Sequence, residues 1–182
     1  MYGLIHQGFK DMVCLSHGED VWREICGGIS REPGDYDPLA SYPDAETFRL
    51  LEAVTQRLEL SHEEVLRRFG RYWIRYTALE GYGPILDLFG KDFSSCLKNL
   101  NRMHGHMGAM MPNLKPPRFE VKEHDSRGVT LHYFSSRKGL APMVHGLLEG
   151  LSDRFNEPIS IDYFPQGERS DHDEFDIFFE SK

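Results

Sequence analysis

A histidine lies on the apolar side of a predicted helix, where an imidazole could bind a metal ion. The helix is predicted over residues 92–110, and His104 shares its broad apolar face with residues at helical spacing: Phe93, Leu97, Leu100, Met103, Met107 and Met111. An imidazole in such surroundings suits a haem iron, because it offers one neutral nitrogen in a dry cavity. His106 lies about 200° further around the helix and is expected to point elsewhere. The alternative is a core histidine hydrogen-bonded to a carbonyl, and the helix alone favours that alternative.

A row of hydrogen-bonding groups follows on a predicted strand over residues 129–136. Alternate side chains of a strand share a face, so Tyr133, Ser135 and Arg137 form the outer end of one face. The guanidinium of Arg137 can hold a carboxylate through two hydrogen bonds. Because a haem carries two propionates, this row could bind its polar edge while His104 binds its iron. A solvated strand end is the alternative, and the bare spacing does not exclude it.

The composition is that of an ordinary globular domain. Of 182 residues, 40% are hydrophobic and 27% are charged, and a chain of this length can enclose a sizeable ligand. The net charge of -8 disfavours a nucleic-acid-binding surface, because phosphates would not be neutralised. We expect neither a signal peptide nor a membrane span, since no run of about 18 apolar residues occurs. Three widely spaced cysteines favour a reducing, cytoplasmic location: Cys14, Cys26 and Cys96.

The first half of the chain is predicted to be helical. Besides the helix at 92–110, apolar periodicity predicts helices at about 2–15, 18–27, 45–58, 61–76 and 84–89. The clearest start is Ser61, because Ser61 and Glu64 have the spacing of a capping box. Two prolines within residues 30–42 predict a loop there.

The second half is predicted to form an antiparallel sheet. Strands at 119–123 and 129–136 form one hairpin across a turn at 124–128, and strands at 159–163 and 175–179 form another. Pro142 suits the first turn of a helix between the hairpins. The predicted fold class is therefore α+β, with a helical N-terminal lobe followed by a four-stranded sheet that has a helix inserted in it.

Taken together, these features resemble the haem nitric-oxide/oxygen-binding (H-NOX) family, which includes the sensor domain of soluble guanylate cyclase. The family signature Tyr-x-Ser-x-Arg is matched by Tyr133-Phe134-Ser135-Ser136-Arg137, and it follows a helical histidine, matched by His104. A proline-containing stretch between them is matched by residues 112–119. Further matches are residues 1–5, Phe69-Gly70, residues 80–82, residues 131–133 and Asp171-His172. The resemblance covers essentially the whole chain, and no signature residue departs from it.

The resemblance implies one H-NOX domain over residues 1–182. Its helical lobe would span about 1–60 and its helix-and-sheet lobe about 61–182, with haem b between them. His104 corresponds to the iron ligand, and Tyr133, Ser135 and Arg137 to the propionate-binding residues. The remaining correspondences are Pro116 and Ile5, which press on the haem and distort it, and a distal wall formed by Phe9, Trp73, Met143 and Leu147.

The distal wall bears on which gas would bind. Ferrous haem holds O2 firmly only where a hydrogen-bond donor meets the bound oxygen, whereas NO and CO need this far less. Family members that bind O2 place a tyrosine on the helix after the signature strand, and that helix here begins Leu140-Ala141-Pro142-Met143-Val144. The wall is apolar except for the indole N–H of Trp73. We therefore expect NO and CO to bind in preference to O2.

The resemblance implies a sensor and not an enzyme. In the family, NO can break the bond between histidine and iron, and release of His104 would let its helix shift, which a partner could read. We expect a separate effector, because the chain leaves no room for a cyclase or kinase domain. In the family the effector is typically a histidine kinase or a cyclic-di-GMP enzyme. Alternatives are an oxygen-binding haem protein, a haem peroxidase, for which we find no distal acid–base residue, and an interaction module for another ligand.

Overall fold

The computed structural model describes residues 1–30, 32, 36–77, 87, 90–124 and 128–180. Of the helix predicted at 84–89, only Asp87 is described. The matched residues 80–82 and the centre of the turn predicted at 124–128 also lie outside the described residues. The chain divides into two compact units, Met1–Phe69 and Gly70–Lys182. The boundary between them falls inside a helix.

The first unit is helical in its described residues. It contains α1 (Gly3–His17), α2 (Glu19–Gly28), α3 (Asp44–Leu58) and the first part of α4 (His62–Thr77). These bounds lie within two residues of those predicted from apolar periodicity. The N–H of Glu64 donates to the Ser61 hydroxyl at 3.1 Å, as the capping box requires. Phe9 of α1 stacks on Phe69 of α4 with ring centroids 3.9 Å apart.

The second unit contains the sheet. Its elements in chain order are α5 (Phe93–Lys98), α6 (Leu100–Met110), β1 (Arg118–His124), β2 (Gly128–Phe134), α7 (Ala141–Phe155), β3 (Ile159–Phe164) and β4 (Asp173–Phe179). The strands form one antiparallel sheet in the order β1-β2-β4-β3, so the two hairpins meet where β2 pairs with β4. The α+β class and both hairpins are therefore confirmed.

The two faces of the sheet differ in polarity because side chains alternate along each strand. On the inner face Val129, Leu131 and Tyr133 of β2 are buried in a core shared with Phe175 and Ile177 of β4. Apolar residues of α5 and α7 complete this core: Phe93, Leu97, Val144, Leu148 and Leu151. The alternate residues of β2, including Thr130, His132 and Phe134, lie on the outer face.

The helix predicted over residues 92–110 is two helices, which corrects the sequence-based expectation. The break is at Asn99, whose backbone (φ -99, ψ 3) leaves helical geometry. The Asn99 side chain donates to the Ser95 carbonyl at 2.9 Å and so satisfies an acceptor at the end of α5. Apolar periodicity does not detect such a break, because α6 resumes with its apolar residues at nearly the same spacing.

Helices α4 and α7 approach closely at two glycines. A Cβ on Gly70 would lie 2.1 Å from the carbonyl oxygen of Met143 and 2.8 Å from the backbone nitrogen of Leu147. A Cβ on Gly150 would lie 2.9 Å from the carbonyl oxygen of Arg71. The absence of side chains at these positions therefore sets how closely the two helices approach.

Gly70→Ala is expected to destabilise the protein by about 1–3 kcal/mol or more, because backbone atoms of α7 cannot turn aside as a side chain could. The matched control is Gly27→Ala in α2, where a Cβ would meet nothing within 4 Å. That variant should be stabilised by about 0.5–1 kcal/mol through helix propensity. Urea unfolding followed by circular dichroism measures both, and equal midpoints for the two variants would contradict the close approach.

Candidate functional site

The ring of His104 is held against the sheet. His104 stands on α6 and stacks on Phe119 of β1, with centroids 5.7 Å apart and planes inclined by 14°. Its Nδ1 atom is buried and forms no well-aligned hydrogen bond among the described residues, although the backbone of Leu100 is close. Burial lowers the pKa of His104, and the backbone of Leu100 raises it by less, so the ring is uncharged at neutral pH. An uncharged imidazole keeps a lone pair for a metal ion, and a buried nitrogen without a well-aligned partner is unusual enough to suggest a ligand.

His106 lies on a different side of α6. Its side chain is exposed, whereas that of His104 is partly buried. This difference confirms the helix phase predicted from sequence. Of the two histidines, only His104 has the apolar surroundings that a haem ligand needs.

Asn101 fixes α6 on the sheet. Its amide nitrogen donates to the carbonyl of Phe119 at 2.5 Å, and the N–H of Phe119 donates to its amide oxygen at 2.9 Å. Asn101 precedes His104 by three residues, so both side chains reach β1 from adjacent turns. Neither Asn101 nor Phe119 was predicted from the sequence to have a role at the site. The available signal was a polar residue three positions before the histidine, followed by an apolar residue near the start of the next strand.

The signature residues meet at the end of β2, although only Tyr133 belongs to the strand. The strand predicted to reach Ser136 ends at Phe134, which corrects the prediction. The reason is a turn in which the Ser135 hydroxyl accepts the backbone N–H of Arg137 at 3.0 Å. Burial raises the pKa of Tyr133, and a hydrogen bond with Ser135 partly opposes that shift. The three residues are therefore brought together by a turn and not by the alternation of side chains along a strand.

Arg137 is tied to the segment between α6 and β1. Its guanidinium donates to the carbonyl of Lys115 at 2.6 Å. Pro116 follows Lys115 directly and is exposed, so this hydrogen bond also anchors the segment that contains Pro116. The signature residues line a cleft of about 460 Å³, which is also lined by Asp173 at the start of β4 and by residues of the preceding loop: Pro165, Gln166, Asp171 and His172.

The remaining predicted site residues fall in both units. Ile5 and Phe9 lie one turn apart on α1 of the first unit, where Phe9 is buried. Trp73 of α4 belongs to the second unit and packs its indole against Tyr76 with centroids 5.5 Å apart. Met143 and Leu147 lie one turn apart on α7, each partly buried. Gly70 places this part of α7 against the turn of α4 that precedes Trp73.

A family model described as haem-NO-binding matches residues 2–163. The chain belongs to this haem-binding family. Among curated relatives, soluble guanylate cyclase gcy-35 of Caenorhabditis elegans is 28% identical over 157 residues, which cover 85% of this chain and 23% of that protein. Soluble guanylate cyclase 89Da of Drosophila melanogaster is 25% identical over 155 residues, covering 85% of this chain and 23% of that protein. The chain thus spans about a quarter of the length of these relatives.

Solved structures share the fold. An H-NOX protein from S. oneidensis in the Fe(II)NO ligation state superimposes with a TM-score of 0.88 at 23% identity, covering 100% of both chains. Unliganded Fe(II) H-NOX from K. algicida gives a TM-score of 0.85 at 22% identity, covering 100% of this chain and 98% of that one. The chain therefore has the H-NOX fold.

The residues of this H-NOX chain fit a haem. The uncharged ring of His104 supplies a nitrogen ligand of the kind that haem iron takes, and the lack of a well-aligned partner for its Nδ1 is consistent with a ring oriented for ligation. Tyr133, Ser135 and Arg137 supply polar groups at one cleft, of which Arg137 is suited to a carboxylate. Separately, no helix among the described residues is both long enough and apolar enough to cross a membrane.

Proposed function

We propose that the chain is a cytoplasmic gas sensor that binds haem b through His104 and takes NO or CO as its ligand. The observation that carries the proposal is the partly buried, uncharged His104 ring, whose buried Nδ1 forms no well-aligned hydrogen bond, on a chain of the haem-NO-binding family. When bound, the haem supplies a ferrous iron to which diatomic gases bind reversibly. No catalytic role is proposed, because the residues proposed for the distal wall include no acid or base: Phe9, Trp73, Met143 and Leu147.

The propionates are proposed to bind at the signature turn. Arg137 contributes a cation, and its bond to the Lys115 carbonyl presets the guanidinium position. Tyr133 contributes a phenol with a raised pKa, which therefore remains a hydrogen-bond donor at neutral pH. The Ser135 hydroxyl shapes the turn by accepting the Arg137 N–H, and its own O–H can still donate to a propionate. Pro116 and Ile5 are proposed to contact the haem and distort it.

Arg137→Ala is expected to speed haem loss more than Ser135→Ala does. A charge-assisted hydrogen bond is roughly twice as strong as a neutral one, and the guanidinium can make two. Haem transfer to apomyoglobin, followed at the Soret band, measures the rate. Lys122→Ala is the matched control, since it removes an exposed cation of β1 that does not line this cleft. Equal rates of haem loss for the wild type and Arg137→Ala would contradict the proposed role of Arg137 in propionate binding.

The signal is proposed to be a displacement of α6. Two hydrogen bonds from Asn101 and the stacking of His104 attach α6 to Phe119. Phe119 pairs in register with Tyr133, and their rings lie 5.5 Å apart. Movement of His104 would therefore reach the signature turn through one intervening side chain. We propose that a separate effector reads this change, such as a histidine kinase or a cyclic-di-GMP enzyme.

Titration of the dithionite-reduced, haem-loaded protein with NO tests the function. The Soret band is expected to shift and to saturate at one NO per haem. CO should produce a distinct shifted band under the same conditions. Protein that takes up no haemin, or a reduced Soret band that responds to neither gas, would contradict the proposal.

A further inference from the structure

Three potential metal ligands converge on the outer face of the sheet. His132 of β2 and Glu174 of β4 are direct partners in register, and His172 lies two residues before Glu174. His132 Nδ1 and His172 Nε2 are 2.7 Å apart. The Oε1 atom of Glu174 lies 3.7 Å from His132 Nδ1 and 3.5 Å from His172 Nε2.

We propose that His132, His172 and Glu174 form a binding site for a divalent transition-metal ion of the Zn²⁺ type. Three atoms separated by 2.7, 3.7 and 3.5 Å have a common centre about 1.9 Å from each of them. Zn²⁺ binds imidazole nitrogen and carboxylate oxygen at ~2.0–2.2 Å, so an ion slightly above the plane of these atoms reaches all three. The backbone register already places the ligands together, and metal binding replaces the hydrogen bond between His132 Nδ1 and His172 Nε2, so that the His132 proton moves to its Nε2 atom or to solvent.

The surroundings of His172 orient it as a ligand. The Oδ1 atom of Asp171 lies 2.8 Å from His172 Nδ1, so this nitrogen donates to the carboxylate and leaves the lone pair on Nε2, towards His132 and Glu174. The Phe134 ring stacks on the His172 ring with centroids 4.1 Å apart, and this contact restricts rotation of the imidazole. A carboxylate behind a ligating histidine is the usual outer-shell arrangement of zinc sites.

The ligand set selects the class of ion. Two imidazoles and one carboxylate suit Zn²⁺ and Cu²⁺, whereas Mg²⁺ and Ca²⁺ prefer oxygen ligands alone. Three protein ligands leave a fourth tetrahedral position for water or an anion. His172 also lines the cleft at the end of β2, which gives an ion access. His104 stacks on Phe119, whose register partner Tyr133 is on the inner face of the sheet, so the proposed metal ligands lie on the opposite face from the proposed iron ligand, while His172 also borders the cleft proposed for the propionates.

Isothermal titration calorimetry of the untagged, haem-loaded protein with ZnCl2 tests the site. One Zn²⁺ per chain is expected, and MgCl2 should give no comparable binding. His172→Gln and Glu174→Gln should each weaken the affinity by about 100-fold or more. Asp171→Asn, at a fully exposed position, should weaken it by about 10- to 100-fold without disturbing the fold. His17→Gln, which removes an exposed histidine of α1, is the matched control and should leave the affinity unchanged.

Zinc K-edge absorption of the one-to-one complex provides an independent readout. Scattering from two imidazoles is expected in the wild type, and from one in His172→Gln. The proposal is overturned if Zn²⁺ does not bind, if binding is unaffected in all three site variants, or if the absorption spectrum shows sulfur ligands. The last outcome would assign the ion to the cysteines instead.

Discussion

His104→Gly is expected to yield protein that purifies without haem and that takes it up only when imidazole is supplied. His104 is the partly buried histidine of α6, its uncharged ring stacks on Phe119, and it is the iron ligand that we propose. Glycine removes the ligand and leaves a space that free imidazole fits. The ratio of Soret absorbance to protein absorbance after purification, with and without imidazole, measures the effect.

His106→Gly is the control for this experiment, because it makes the same substitution two residues away on the same helix. Because the His106 side chain is exposed, the absorption spectrum and haem content of His106→Gly should equal those of the wild type. Circular dichroism should show that both variants fold. Haem loss in His106→Gly together with haem retention in His104→Gly would mean that the ligand is the other histidine.

The ferrous protein is expected to bind NO and CO and to form no stable complex in air. A hydrogen bond to a strongly polarised group contributes on the order of 1.5–3 kcal/mol. Its absence therefore lowers O2 affinity by roughly one to two decades. Pro142 and Met143 open α7 where the family resemblance leads one to expect a tyrosine in oxygen binders. The one nearby donor in the proposed distal wall is the indole of Trp73, which packs against Tyr76.

Reduction with dithionite, desalting and admission of air, with the Soret and Q bands recorded throughout, test this selectivity. Rapid oxidation without an intermediate oxy spectrum is the expected result. A persistent oxy spectrum would refute NO selectivity. The variant Trp73→Phe then identifies the donor: if it abolishes the oxy spectrum, the indole provides the hydrogen bond, and the protein is an oxygen sensor or carrier.

Much of the fold could be predicted because its signals are local. Apolar residues three or four positions apart predicted α1 to α4, and Ser61 with Glu64 marked the start of α4. Alternation predicted both hairpins, and Pro142 marked the start of α7. The break at Asn99 was missed, because a side chain that bonds to the Ser95 carbonyl leaves no trace in hydrophobic periodicity.

The candidate site was predicted in part. Helix phase separated His104 from His106, since a position on a helix fixes a direction regardless of what packs against it. The common face of Tyr133, Ser135 and Arg137 was derived from a strand that ends at Phe134, so the residues meet for a different reason. The roles of His104 in ligation and of Arg137 in propionate binding remain predictions.

The sequence by itself determined most of the helical and strand segments, the family and the histidine of interest, because these depend on spacing along the chain and on a contiguous motif. Only the tertiary structure decided which distant residues meet. Asn101 bonds to Phe119 across 18 positions, and His132 lies beside His172 across 40. The second contact follows from strand order and register, which pair β2 with β4 and not with β3, and the first follows from the packing of α6 on β1. Strand order depends on how the whole core packs, so no local pattern specifies it.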